Sequence, residues 1–225
     1  MKKYLVSDQW HKNIIKFLPY ICLTFVITIG VISIIASGGG GGGASEENED
    51  NNDVNLTNEY AVDYDSNPGC DTSDEACAMV MSINADRKDN TEESDSAPAI
   101  KWNNSLAAVA QAHSENMCEQ RQLAHELDAK DPFDRMADAG IDFVTAGENV
   151  AMGTDGVYDL EDLEDLFMDE PECEANHRGN ILNRNFTHVG IGATHCDDGN
   201  IYVTQDFAAF SFDDIRDDPN EYCEY

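Results

Sequence analysis

The chain predicts an α+β fold, with helices first, paired strands last, and the helices packed on an antiparallel sheet. Three observations carry this. Apolar residues recur at helical spacing over Leu106, Val109, Ala110, His113 and Met117, which stand at i, i+3, i+4, i+7 and i+11. Two β-patterned runs near the C-terminus flank an Asp198-Gly199 dipeptide, a hairpin signal. No internal repeat competes with a single ordered domain.

The ends of the chain narrow the ordered part. A length of 225 residues has room for about one to two domains. Residues 17 to 36, "FLPYICLTFVITIGVISIIA", carry no charge and match the ~20 residues of a membrane-spanning helix. Lys2, Lys3, Lys12 and Lys16 precede them, so the N-terminus is expected in the cytoplasm. Residues 1–37 are therefore read as a membrane anchor or an uncleaved signal. Everything beyond Ser37 is expected outside the cytoplasm: periplasmic, cell-surface or secreted. "IIASG" resembles a bacterial lipoprotein box with glycine where the lipidated cysteine belongs. Residues 38–69 open with six glycines and continue into "SEENEDNND", which reads as a flexible, disordered linker. The domain proper is expected over 70–225, ending in a cysteine-containing tail.

Charge excludes one class of function. Thirteen basic and 45 acidic side chains give −32, and setting aside the four lysines and one aspartate of the first 37 residues leaves −35. Phosphate contacts need clustered Lys and Arg, so nucleic acid is not a partner. No loop fits the calcium pattern D-x-[DN]-x-[DN]-G, and the acidity reads as solubility in a salty medium. Cys22 lies in the apolar run, while Cys70, Cys77, Cys118, Cys173, Cys196 and Cys223 are the disulfide candidates of an exported domain. Cys70 with Cys77 would close a small loop and Cys196 with Cys223 would pin the tail, but spacing leaves the connectivity open. No C-x-x-C pair exists for a zinc knuckle.

The elements follow in order. "DEACAMVMSINADRK" places Ala76, Met79, Val80 and Ile83 on one helical stripe. "NNSLAAVAQAHSENMCEQ" is the stronger helix, with asparagines to cap its start. His113 lies on its apolar stripe and reads as a core histidine rather than a ligand. "DPFDRMADAG" is a short helix begun by Pro132 and ended by Gly140. "DGVYDLEDLEDLFMDE" puts Leu160, Leu163, Leu166 and Phe167 on one face, and Pro171 stops it at Glu170. "HRGNILN" then leads into a strand over Phe186 to His195, where Val189, Ile191 and Ala193 alternate with glycines, and "IYVTQDFAAF" is its partner.

Standard catalytic motifs fail. "HELDA" begins like the zinc-protease H-E-x-x-H but has Ala129 at the second ligand. There is no G-x-S-x-G elbow, and "GIGATH" ends in histidine where a dinucleotide fingerprint needs glycine. Oxidised cysteines leave no thiol nucleophile.

"IKWNNSLAAVAQAHSENM", "AHE", "PFDRMADAG", "AGENVAMG", "HRGNILNRNFTHVGIGA" and "YVTQDFA" stand in the order and spacing of a CAP domain. The chain resembles the bacterial secreted branch of that superfamily, named for cysteine-rich secretory, antigen 5 and pathogenesis-related 1 proteins, over about residues 76–210. The resemblance implies an α-β-α sandwich with an antiparallel central sheet and a cleft holding two histidines and two glutamates. By motif these are His125 in "LAHE", Glu148 in "GENVA", Glu170 in "FMDE" and His177 in "NHRGN". Glu172 and Glu174 are rivals of Glu170.

That foursome implies a cleft for a divalent cation or small ligand without turnover, His125 and His177 ligating Zn2+ or another divalent ion. A metal-dependent hydrolase, with either glutamate as base on a bound water, is the alternative. Lipid binding or protein interaction, with the cleft as a structural network, is the third. Partners are accordingly an undefined small ligand, lipid or surface protein, and the membrane through the N-terminal helix. His177 is expected in the cleft, Arg178 and Asn180 tying its segment to neighbours, Ile181 and Leu182 in the core. His188 and His195 are expected at the surface or sheet edge.

Overall fold

A computed structural model describes residues 4–5, 11–13, 64, 66–71, 73–91, 97–172 and 176–215. The apolar run 17–36, the linker up to residue 63, Cys22, Cys173 and Cys223 lie outside the described residues. Among the described residues, no helix is long and apolar enough to cross a membrane.

Two short strands, β1 (Tyr4–Leu5) and β2 (His11–Asn13), come first. Helix α1 (Glu75–Asp89) starts where the Asp74 side chain accepts from the amide of Ala76. It buries Ala76, Met79, Val80, Ile83 and Arg87, the expected stripe extended by one turn. A two-residue strand β3 (Lys101–Trp102) leads into α2 (Asn104–Gln120). The Asn103 side chain caps α2 by accepting from the amides of Ser105 and Leu106, and the helix closes on Arg121 in the left-handed region. Helix α3 (Pro132–Asp138) has the reciprocal Asp131/Asp134 capping box with Pro132 at its first turn, and Gly140 beyond its end has φ +74°.

Strand β4 (Thr145–Thr154) follows, then α4 (Leu160–Met168), α5 (His177–Leu182), β5 (His188–His195) and β6 (Asn200–Ala209). Gly199, at φ +81°, makes the turn between β5 and β6. The expected start of β5 at Phe186 gives way to His188, because Arg184 to Phe186 complete a turn after α5, with the Phe186 amide donating to the Asn183 carbonyl.

Among the described residues the strands form one sheet in the order β1-β4-β6-β5-β3, with β2 also on β4. The β4–β6 and β5–β6 ladders are antiparallel, as expected, whereas β3 joins β5 in parallel. That departure from an all-antiparallel sheet involves one short edge pairing. Helices cover both faces, which makes the α-β-α sandwich. Met79, Ile83, Leu163, Phe167, Ile181 and Phe207 belong to the core beneath α1, α4 and α5. Leu106, Val109, Met136, Ala146 and Ala208 pack beneath α2 and α3.

The seat of α2 on β5 explains the glycines of "VGIGATH". A Cβ on Gly190 would stand 2.0 Å from the Ala107 backbone nitrogen, and one on Gly192 would stand 2.2 Å from that of Gln111. Only hydrogen lets helix and strand approach this closely. On the opposite face Arg87, fully buried, donates to the carbonyls of Ile181, Pro98, Phe186 and Asn183. It thereby ties α1 to the irregular segment that positions α5.

Among the described residues two disulfides are formed, Cys70–Cys77 and Cys118–Cys196. The first is the small loop that spacing left open as one possibility. The second takes the place of the possible tail pairing of Cys196 with Cys223: Cys118 lies in the last turn of α2, Cys196 follows β5, and packing of that helix on that strand brings them together.

Candidate functional site

Strand β4 organises the site because its side chains alternate between the two helical layers. Glu148 and its cross-strand neighbour Asp206 point toward α2 and α3, while Asn149 and its neighbour Gln205 point toward α4 and α5. On the first face, the loop after α2 brings in His125, whose Nδ1 lies 2.8 Å from Glu148 Oε1. Arg135 of α3 donates to the other Glu148 oxygen, and through Nη1 to the carbonyls of His125 (2.8 Å) and Lys130 (3.1 Å). The Glu148 side chain is wholly buried.

Asp206 is also buried, directly across the β4–β6 ladder from Glu148. Burial raises the Glu148 pKa to about 7 even though Arg135 opposes it. Burial, then repulsion from Glu148, holds Asp206 well above the ordinary carboxyl range. Two adjacent buried carboxyls with one arginine are stable with Asp206 protonated.

On the second face, the Asn176 side chain caps α5 by accepting from the Gly179 amide, and His177 begins the helix. His177 Nδ1 lies 2.7 Å from Glu170 Oε1, its backbone amide donates to Glu170 Oε2 at 2.7 Å, and its ring stacks on Phe167 with centroids 4.7 Å apart. Burial pushes the Glu170 carboxyl up, but the hydrogen bonds from His177 outweigh it and leave the pKa below the usual value. The rival Glu172 is a largely exposed side chain, 4.0 Å from Arg178, and Glu174 lies outside the described residues. Residues near His177 fix its place. Asn149 donates to the His177 carbonyl, Asn180 donates to the Glu148 carbonyl and the Asn149 side chain, and Arg178 donates to the Met168 carbonyl and Asn90. Ile181 and Leu182 are buried beneath them.

The foursome read from motifs is thus built as two histidine–carboxylate pairs that approach β4 from its two faces. In each pair a carboxylate on Nδ1 assigns the proton there and makes Nε2 the basic nitrogen, the arrangement that commonly supports a metal-bound histidine. Among the described residues, no three His, Cys, Asp or Glu side chains form a group that could hold a metal ion. Arg135 and Asp206 belong to the site although motif reading passed over both. Their signals were present: an arginine inside "PFDRM", and an aspartate interrupting the apolar run "IYVTQDFAAF".

His113 is buried, as expected of a core histidine, with Nε2 2.8 Å from the Ala124 carbonyl. Burial lowers its pKa to about 3, so the ring is neutral. His188 and His195 are at the sheet margin, His195 half-exposed between Asp155 and Glu75.

The profile of the CAP domain, the cysteine-rich secretory protein family, matches residues 80–207. YkwD of Bacillus subtilis (strain 168) is 35% identical over 107 residues, 47% of this chain and 38% of that protein. The membrane protein YlbC of the same organism is 31% identical over 110 residues, 48% of this chain and 28% of that protein. The matched region thus spans well under half the length of either relative. An outer surface protein from Borrelia burgdorferi shares the fold, with a TM-score of 0.53, 18% identity, and coverage of 63% of this chain and 97% of that one.

Proposed function

Because the chain belongs to the CAP domain, cysteine-rich secretory protein family, we propose that it is an extracytoplasmic, membrane-tethered binding domain in which His125 and His177, one on each face of β4, each offer an imidazole donor to a divalent cation without turning over a substrate. The observation that carries this reading is that both imidazoles have a carboxylate on Nδ1, at 2.8 and 2.7 Å. Zinc suits neutral imidazole donors, and a single imidazole leaves coordination positions for water or a ligand. The cation would supply Lewis acidity toward whatever ligand completes it. Glu148 and Glu170 act as orienting groups behind the histidines.

Glu148 is poorly placed to be the base of a hydrolytic reaction. A general base must reach the proton it removes, and this carboxylate is wholly buried between Arg135 and His125. The extracytoplasmic placement draws support from the apolar run 17–36 and from the outer surface protein that shares the fold.

Calorimetric titration of the oxidised full chain in non-ionic detergent with Zn2+, beside His125→Ala/His177→Ala, tests the reading. Zn2+ binding by the parent that is lost in the variant is expected. Equal binding by both, or binding by neither, makes the two pairs a structural network around β4.

A further inference from the structure

Three segments far apart in sequence meet at His195, the last residue of β5. Its Nδ1 lies 2.8 Å from Asp155 Oδ1, in the turn after β4, and its Nε2 lies 3.3 Å from Glu75 Oε1, on the first residue of α1. An ionised carboxylate only accepts hydrogen bonds, so each contact needs a proton on the ring nitrogen that makes it. Neutral imidazole carries one N–H and can serve one of the two. Both contacts together require the imidazolium.

The surroundings favour that charge. His195 lines a cavity of about 280 Å³ with Glu75, Asp155, Tyr158, Asp159 and Asp162, and no lysine or arginine is among the described residues that line it. Asp159 and Asp162 are engaged in the capping box of α4, each accepting from the other's amide at 2.9 and 3.2 Å. Glu75 and Asp155 are the carboxylates left to the ring. The hydrogen bond to Asp155 is the main cause that holds the His195 pKa above its ordinary 6.5, with burial opposing and Glu75 adding to it.

A histidine whose pKa is raised by folding makes its contribution in full below the unfolded value, and loses it as pH rises through the folded one. Losing one proton leaves one N–H for two carboxylates. The contact to Asp155 is the shorter, so the remaining proton stays on Nδ1 and Glu75 is released.

We propose that His195 is a proton-operated clasp: as imidazolium it ties the first turn of α1 to the turn after β4 beside this cavity, and as neutral imidazole it keeps Asp155 and lets Glu75 go. The three side chains are 39% to 53% exposed, so protons reach the ring from solvent and the loosening is local rather than global. Nothing in the clasp depends on the cation reading of His125 and His177.

The test needs no metal: NMR titration of the ring protons, and amide hydrogen exchange against pH, on the full chain in non-ionic detergent, with His195→Gln identifying the resonance. His195 is expected to titrate above 6.5 in the parent and lower in Asp155→Asn and Glu75→Gln, both conservative changes at exposed positions. The amide of Ala78, which donates to the Asp74 carbonyl in the first turn of α1, should lose protection as pH passes the measured ring pKa, beyond the ordinary acceleration by base. Glu75→Gln should abolish that extra loss, because a glutamine amide accepts from the imidazolium and donates to the neutral ring. A ring pKa at or below 6.5 in the parent, a value that neither variant moves, or the same Ala78 profile in parent and Glu75→Gln overturns the assignment.

Discussion

Replacing Arg135 by methionine removes the cation that lets Glu148 stay ionised inside the domain, and the consequence depends on pH. Folding raises the Glu148 pKa to about 7, above its ordinary value of 4.5. For a carboxyl raised by folding, stability is greatest below the unfolded pKa and is lost as pH rises through the folded value. In the parent that loss stops near pH 7, once Glu148 ionises against Arg135. Without Arg135 the folded pKa climbs further, so the loss continues where the parent has levelled off.

The magnitude follows from the geometry. At pH ~5.5 the carboxyl is protonated in both proteins, and the variant loses the hydrogen bonds from Arg135 to the His125 and Lys130 carbonyls and to the neutral Glu148 carboxyl, about 1–2 kcal/mol in all. Between pH ~7 and ~8.5 the gap widens at 1.36 kcal/mol per unit, adding about 2 kcal/mol. The total of about 3–4 kcal/mol agrees with what breaking a buried ion pair costs, ~3–5 kcal/mol. Urea unfolding of the parent, Arg135→Met and Arg135→Met/Glu148→Gln at the two pH values reads this directly. The added glutamine should erase the part that grows with pH. A gap of the same size at both pH values, or one that persists in the double variant, would refute the account of Glu148 as a buried carboxylate held by Arg135.

Three further outcomes are expected. Gly190→Ala or Gly192→Ala sets a methyl group against the α2 backbone, at 2.0 and 2.2 Å, and should cost at least the ~1–3 kcal/mol of ordinary overpacking; a melting curve like the parent's would contradict the packing of α2 on β5. Arg87→Met strips the donor from four carbonyls and should lower stability by about 3–5 kcal/mol in urea unfolding, an effect that a merely space-filling arginine would not produce. Loss of Cys118–Cys196, which joins residues 78 apart, should destabilise by about 4 kcal/mol, against about 2 kcal/mol for Cys70–Cys77 with its separation of 7; equal shifts in denaturant midpoint would show that chain entropy is not the main term.

What the sequence by itself determined was local. The stripe of α1, the Asn103 cap of α2, the Pro132 start of α3 and the Asp198-Gly199 turn are each set by residues within a few positions of one another. Those signals survive without knowledge of the rest of the chain. His125, Glu148, Glu170 and His177 were legible through motif order, and the pairing of Glu170 with His177 spans only seven positions.

Strand β4 was not legible as a strand, although "AGENVAMG" was singled out. Both of its faces are covered by helices, so "TAGENVAMGT" has no alternation of apolar and polar residues to mark it. The tertiary structure alone decided that Glu148 and Asp206 sit side by side, because that follows from the β4–β6 register across 58 positions of chain. It decided as well that Cys196 bonds to Cys118, that Arg87 satisfies carbonyls more than 90 residues away, and that the motif residues form two pairs on opposite faces of one strand. Periodicity and caps report what a segment prefers; which buried charges meet depends on sheet register and on how closely α2 can approach two glycines.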